Sequence, residues 1–274
     1  MDLAELTVRQ RVSLWLDGGA GLDSVPDALT FVRDVAVALR YSAAADLPLA
    51  SMYRATQQQV PVPEDERAAH SRAFELTNGL LASNKVVEIN LLAGRLALGH
   101  ERIMPAIYTL RRGQTGPRLS ETARQAFEFI QANEGAGSGD IRRLLNIDRQ
   151  RRPDAADAAL AELQRELLVD RGPSGPPSQG VFYLTREGYP YRVFASAHPD
   201  IVSAARQLTL SEAAVDVLRQ YLRAALFAHR RKLVSMLREL MSADEVDRAI
   251  RHLASEGIVA IDHSGKSEVI VYRA

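Results

Sequence analysis

The 274-residue sequence predicts a mainly α protein with short β-hairpins, an α+β class, built as three tandem winged-helix units. One observation is an internal repeat, because the Leu-Ser-Glu that begins at Leu119 returns at Leu210. The other is that both copies continue as three short helices followed by a hairpin, which is the element order of a winged helix. The alternative is two unrelated helical hairpins that share Leu-Ser-Glu by chance.

The first hundred residues have the same order of elements in a more divergent form. Acidic residues after Pro63 favour a helix start there, because carboxylates stabilise the positive end of the helix dipole. Lys85 to Leu92 is predicted to be a strand and Leu96 to Leu98 its return, with His100 to Arg112 as a connecting helix. Four helices are predicted before this hairpin, over 3–16, 26–41, 49–58 and 63–81. The first of them is expected to be a capping helix.

In both copies of the repeat, a serine followed by an acidic residue predicts the start of the first helix, since the hydroxyl accepts an orphan backbone N–H. The two serines are Ser120 and Ser211. The hairpin of the middle copy is predicted to return at 181–184, and that of the last copy at 269–272. The resulting divisions are 1–25 (capping helix), 26–99 (winged helix 1), 100–118 (connecting helix), 119–191 (winged helix 2), 192–209 (linker) and 210–274 (winged helix 3).

Composition excludes several classes of protein. The absence of cysteine rules out disulfides and thiol nucleophiles. The six histidines form no H-x-x-x-H pair, and no Walker or G-x-G-x-x-G motif occurs, so we expect neither a metal nor a small-molecule cofactor. No apolar stretch approaches the length of a membrane helix, and the N-terminus has no signal pattern, so a cytoplasmic protein is expected. The net charge of zero means that nucleic-acid binding would depend on local patches.

Two basic clusters fall on the same element of the repeat, the second helix and its following loop. In a helix-turn-helix geometry this element crosses the phosphate backbone, where arginine and lysine supply affinity without reading sequence. The predicted double-stranded DNA-binding residues are therefore Arg142, Arg143, Arg149, Arg151, Arg152, Arg230, Arg231 and Lys232.

The third helices argue against base reading by these units. They begin with acidic residues, Asp154 and Asp157 in the middle copy and Asp244, Glu245 and Asp247 in the last. Carboxylates repel phosphates, although aspartate at a helix start is also a good cap. The alternative for the basic clusters is that they are solvated faces of a protein-interaction or homodimer scaffold.

The segments from Phe31 to Leu39 and from Asp46 to Tyr53 resemble the N-terminal unit of the bacterial AlkZ/YcaQ DNA glycosylases, and Leu119 to Gln164 is similar to their second unit. The resemblance implies tandem winged helices that embrace DNA. Members of the family excise alkylated or crosslinked purines with a Gln-x-Gln or Gln-x-Asp motif.

This sequence departs from the family in the catalytic motif. Gln57 and Gln59 have the Gln-x-Gln spacing, but Val60 to Pro63 and the preceding residues differ from the apolar lead-in of the family. The sequence therefore favours a non-catalytic relative that binds double-stranded DNA in repair or regulation. A glycosylase for alkylated bases, and a winged-helix scaffold without DNA, remain the alternatives.

Overall fold

The structure is a computed structural model that describes residues 3–16, 21–41, 48–57, 66–92, 94–113, 116–147, 153–173, 189–263 and 268–273. These residues form mainly helices, with small sheets of short strands. The predicted α+β class is confirmed. Three parts of the chain are described in turn: the N-terminal segment (1–118), the middle segment (119–209) and the C-terminal segment (210–274).

The N-terminal segment contains a four-stranded sheet, in the order β2-β1-β4-β3, and its helices. Strands β1 and β2 are parallel, and the β3–β4 hairpin is antiparallel. The elements are α1 (Leu3–Ser13), α2 (Val25–Val35), β1 (Val37–Leu39), β2 (Ala50–Ser51), α3 (Met52–Gln57), α4 (Glu66–Ala82), β3 (Val86–Leu92), β4 (Arg95–His100) and α5 (Met104–Arg112).

The helix predicted over 26–41 is wrong in its second half. It ends at Val35, where Ala36 has φ +62° and turns the chain out of the helix. The next residues form β1, which pairs with β4 and is fully buried. A short run of buried apolar residues fits either a helix or a strand by periodicity, so only the pairing partner decides between them.

Two other predicted boundaries shift for the same reason. The helix predicted over 49–58 starts only at Met52, because Ala50 and Ser51 pair with β1 as a strand. His100 belongs to β4, opposite Val86, so the connecting helix begins at Met104, with Pro105 in its first turn.

The middle segment contains α6 (Glu121–Ala132), α7 (Ser138–Leu144), α8 (Ala155–Arg165), β5 (Val169–Arg171), β6 (Tyr191–Val193), α9 (Phe194–Ala197) and α10 (Pro199–Ala205). Ser120 caps α6 as predicted, accepting the N–H of Ala123. Strand β5 pairs with β6, and the return strand predicted at 181–184 lies outside the described residues. The predicted linker, 192–209, contains α9 and α10.

The C-terminal segment contains α11 (Leu210–Ala225), β7 (Phe227–His229), α12 (Arg230–Leu237), α13 (Ala243–Ser255), β8 (Val259–Asp262) and β9 (Val269–Tyr272). Its strands pair in the order β7-β9-β8. Strand β7 is not predicted by the sequence, and the cap of α11 is Thr209 rather than the predicted Ser211. The division of the chain into three winged-helix units stays a prediction.

The N-terminal and C-terminal segments share one hydrophobic core. Its buried residues come from β3 and α5 on one side, such as Ile89 and Ile107, and from α11 and α13 on the other, such as Leu218 and Ile250. The middle segment contributes Leu167, Phe194 and Ile201 to this core and has a second cluster around α6, α7 and α8. The N-terminal and C-terminal segments therefore pack against each other through a common core.

The N-terminal helix α1 secures this packing at the end of α11. Gln10 Nε2 donates hydrogen bonds to the carbonyls of Ala225 (2.5 Å) and Phe227 (2.7 Å), and Ser13 Oγ donates to that of Ala224 (2.7 Å). These carbonyls flank Leu226, whose φ of +60° ends α11. Among the described helices, none has the length and apolar character needed to cross a membrane.

Candidate nucleic-acid interface

A wide groove opens on the C-terminal segment between α12, α13 and the β8–β9 hairpin. It has a volume of about 740 Å³. Its lining combines apolar residues, charged pairs and exposed arginines: Arg230, Arg231, Asp247, Ile250, Arg251, Ile261, Glu268 and Ile270. Two predicted phosphate-binding residues, Arg230 and Arg231, therefore lie at an open surface.

Arg230, one of the predicted DNA-binding residues, is held by carboxylates of its own segment. Its guanidinium donates to both oxygens of Asp247, with Nε 2.6 Å from Oδ1, and lies 3.5 Å from Glu268. The hydrogen bond from Arg230 lowers the pKa of Asp247, so this carboxylate stays ionised. The positive charge of Arg230 is therefore balanced by carboxylates within its own segment.

Arg231 lies on the exposed face of α12, and Arg251 is exposed on α13 across the same groove. Neither makes an ion pair with a carboxylate within the described residues. Lys232, also predicted to bind DNA, is half-buried beside Arg231. The groove thus presents two exposed guanidinium groups to solvent.

Arg142 is buried, with 3% of its surface exposed, and this contradicts its prediction as a phosphate contact. Its Nε donates to Asp154 Oδ2 at 2.6 Å, its Nη1 to Ser138 Oγ at 3.1 Å, and its Nη2 to Asp157. Burial raises the pKa of Asp154, but the hydrogen bond from Arg142 outweighs it and holds that pKa below its ordinary value. Arg142 joins α7 to the start of α8 and is not accessible at the surface.

Arg143, the next residue on α7, points outward with 72% of its side chain exposed and pairs with Asp140 one turn earlier. Such exposed pairs contribute little energy and are readily exchanged for another anion. Three further predicted contacts, Arg149, Arg151 and Arg152, lie outside the described residues.

The acidic starts of the third helices have structural roles. Asp154 is the N-cap of α8 and forms a capping box with Asp157. Ser242 and Glu245 do the same for α13, with Glu245 accepting the Ser242 N–H at 2.6 Å. These carboxylates accept hydrogen bonds from backbone N–H groups and from arginines. The starts of the third helices are therefore not uniformly acidic surfaces.

A buried ionic cluster lies between the N-terminal and middle segments and is not predicted by the sequence. Glu88 on β3 is inaccessible to solvent and pairs with Arg40, which directly follows β1, 2.5 Å away, and with Arg171 of β5. Arg40 also donates to the Tyr189 hydroxyl at 2.7 Å, and the Arg171 guanidinium lies 4.2 Å from the centre of the Tyr189 ring. No sequence motif reveals this cluster, since its members are far apart along the chain.

A second buried carboxylate extends the same seam. Asp170 on β5 accepts from Arg192 Nη2 at 2.6 Å and lies 2.8 Å from Nε2 of the buried His198. Arg192 also donates to Asn84 Oδ1 at 3.0 Å, which again joins the middle segment to the N-terminal one. The charged groups of both clusters are paired, so they hold segments together rather than offer a free acid or base.

The two glutamines of the alternative, catalytic interpretation are only partly described. Gln57 is the half-buried last residue of α3, and Gln59 lies outside the described residues. In the part of the chain that the structure describes, no group of three or more His, Asp or Glu side chains is arranged to hold a metal ion.

Comparison with known proteins gives one informative match. No family model matches this sequence, and no curated protein matches it. A solved structure, the DNA glycosylase AlkZ of Streptomyces sahachiroi, superposes with a TM-score of 0.58 at 12% sequence identity, over 99% of this chain and 70% of that one. The chain therefore shares the fold of that protein along its length, which confirms the expected resemblance at the level of fold.

Proposed function

We propose that this protein binds double-stranded DNA and acts in DNA repair or regulation. The observation that carries the proposal is the match to the fold of a DNA glycosylase over 99% of the chain. A fold alone does not define an activity, so the proposal also depends on the exposed basic groups along the groove of the C-terminal segment. Binding of this kind is dominated by phosphate contacts and has weak sequence preference.

The residues proposed to contact phosphates differ from the set predicted from sequence. Arg142 leaves the set because it is buried, and Arg230 becomes minor because Asp247 and Glu268 hold it. Arg251 joins the set, because it is exposed in the groove beside Arg231. The proposed contacts are Arg143, Arg231, Lys232 and Arg251, together with Arg149, Arg151 and Arg152, whose structure is not described.

The direct test is fluorescence anisotropy with a random-sequence duplex at salt concentrations from about 50 to 200 mM. The wild-type protein should bind with an affinity that falls steeply as salt rises. The Arg231→Gln/Lys232→Gln variant removes two phosphate contacts, so the slope of log affinity against log salt should become shallower by about 1.8.

A matched control removes two positive charges elsewhere. The control variant is Arg33→Gln/Lys85→Gln. In the wild type both side chains are exposed, and each pairs with a carboxylate, Arg33 with Asp34 and Lys85 with Glu101. Its salt slope should equal that of the wild type. An equal reduction of the salt slope in both variants would mean that the net charge of the protein, rather than the groove, governs binding. Absence of wild-type binding even at low salt would refute the proposal and favour a scaffold without DNA.

Base excision is the second candidate function, and the similarity of this fold to the DNA glycosylase AlkZ of Streptomyces sahachiroi favours it. If the glutamine pair serves this chemistry, the wild type releases alkylated purines from a duplex and Gln57→Ala abolishes release without changing duplex affinity. The measurement is a single-turnover assay of free base with enzyme in excess. No base release by the wild type would leave DNA binding as the function and exclude the catalytic reading.

A further inference from the structure

A second open cleft lies at the other end of α12, where parts of the chain that are distant in sequence meet. It has a volume of about 530 Å³ and is lined by Arg111 of α5, Arg165 of α8 and residues of the α12–α13 turn. The turn residues that line it are Arg238, Glu239, Leu240, Met241, Ser242 and Glu245. Unlike the groove beside Arg231, this cleft connects the C-terminal segment to the middle one.

Two arginines of the cleft are exposed to solvent. Arg165 ends α8 and Arg238 follows α12, and neither pairs with a carboxylate among the residues that the structure describes. Arg111, in contrast, pairs with Glu166 and donates to the Glu239 carbonyl at 3.4 Å. Its Nε finds no acceptor within the described part of the chain. Within the described residues, the arginines of the cleft therefore have more N–H donors than there are acceptors bonded to them.

The carboxylates of the cleft are directed elsewhere. Glu245 accepts both the backbone N–H and the hydroxyl of Ser242, and these hydrogen bonds hold the pKa of Glu245 below its usual value. The Glu239 carboxylate lies beside Gly94, in the turn of the β3–β4 hairpin. Neither forms an ion pair with Arg165 or Arg238, so an incoming anion would not have to displace an internal partner from those two side chains.

An exposed stripe on α12 joins the cleft to the groove. Arg231, Ser235 and Arg238 are exposed and spaced by four and three residues, which places them on one helix face. Leu233, Met236 and Leu237 are buried on the opposite face. At about 1.5 Å per residue, the seven steps from Arg231 to Arg238 span roughly 10 Å. A DNA strand advances about 3.4 Å per nucleotide along its axis, so this span corresponds to about three nucleotides.

From this geometry we infer that the cleft formed by Arg165 and Arg238 is a second phosphate-binding site on the DNA strand that passes Arg231. The inference rests on the proposed DNA binding and extends it. A strand lying along α12 has its phosphates held at both ends of the helix by exposed arginines. The second site also brings a residue of the middle segment into the interface, so one strand contacts two segments at once.

The test is the Arg165→Gln/Arg238→Gln variant in the same duplex titration. Loss of two phosphate contacts should make the salt slope shallower by about 1.8, whereas the Arg33→Gln/Lys85→Gln control keeps the wild-type slope. Combined with Arg231→Gln/Lys232→Gln, the losses should add to about 3.6, because separate phosphates are involved. Both cleft side chains are exposed, so urea unfolding of the variant should match the wild type within about 0.5 kcal/mol.

The outcomes separate the inference from the proposed function. If the wild type binds and the cleft variant keeps the wild-type slope while Arg231→Gln/Lys232→Gln lowers it, the second site is wrong and DNA binding stands. If the cleft variant behaves no differently from the charge control, the inference is likewise overturned. If the wild type does not bind duplex DNA at any salt concentration, both the function and the second site are refuted.

Discussion

Replacing Glu88 by glutamine should lower the free energy of unfolding by about 3 to 5 kcal/mol, the usual cost of leaving buried charges without their partner. Glu88 is inaccessible and is the shared counter-charge of Arg40 and Arg171, which are themselves 3% and 14% exposed as side chains. Glutamine has nearly the same shape but no charge. Two guanidinium groups would then face each other in a site closed to water.

Equilibrium urea unfolding, followed by circular dichroism, measures this effect. The control is Glu101→Gln, because Glu101 pairs with Lys85 at the surface, where such a pair contributes at most about 1 kcal/mol. A Glu88→Gln protein as stable as the control would show that the buried cluster contributes no more to stability than a surface ion pair.

The same cluster predicts how stability depends on pH. Burial by itself raises the pKa of Glu88, but the charges of Arg171 and Arg40 outweigh it and hold that pKa below its ordinary value. A group with a lowered pKa in the folded state stabilises the protein above its unfolded pKa, about 4.3, and loses this contribution as the pH falls through the folded value. The stability difference between wild type and Glu88→Gln should therefore be constant from about pH 7 to 5 and shrink below pH 4.3. A difference that grew on acidification would contradict the assignment.

Arg142→Gln should cost about 3 kcal/mol of folding free energy and leave the salt slope of DNA binding unchanged. The side chain of Arg142 is 4% exposed and is the partner of both Asp154, 7% exposed, and Asp157, 31% exposed. Removing the guanidinium leaves the carboxylates that cap α8 without their cationic partner. Because the guanidinium does not reach the surface, no phosphate contact is lost with it.

Arg143→Gln is the matched control on the neighbouring residue. Arg143 is 72% exposed, so its replacement should change stability by no more than about 0.5 kcal/mol while making the salt slope shallower by about 0.9. Urea unfolding and duplex titration of the two single variants measure both quantities. A shallower slope for Arg142→Gln with unchanged stability would reverse the roles assigned to the two residues.

The sequence by itself predicted the elements whose signals are local. The α+β class is confirmed, as are the hairpin around β3 and β4 and the helix start at Ser120, because periodicity and capping depend on residues within a few positions of one another. The resemblance to the AlkZ/YcaQ glycosylases is confirmed at the level of fold. These features required no knowledge of what packs against them.

Tertiary structure alone decided which charges remain available. The run of basic residues on α7 and α12 is visible in the sequence, but Arg142 is neutralised by carboxylates at the start of another helix, and Arg230 by Asp247 on α13. In the same way, β1 is a strand rather than the end of a helix only because β4 pairs with it. Ion pairs and strand pairs join residues that are distant along the chain, and desolvation depends on everything packed around a group. Neither quantity is encoded in the spacing of neighbouring residues.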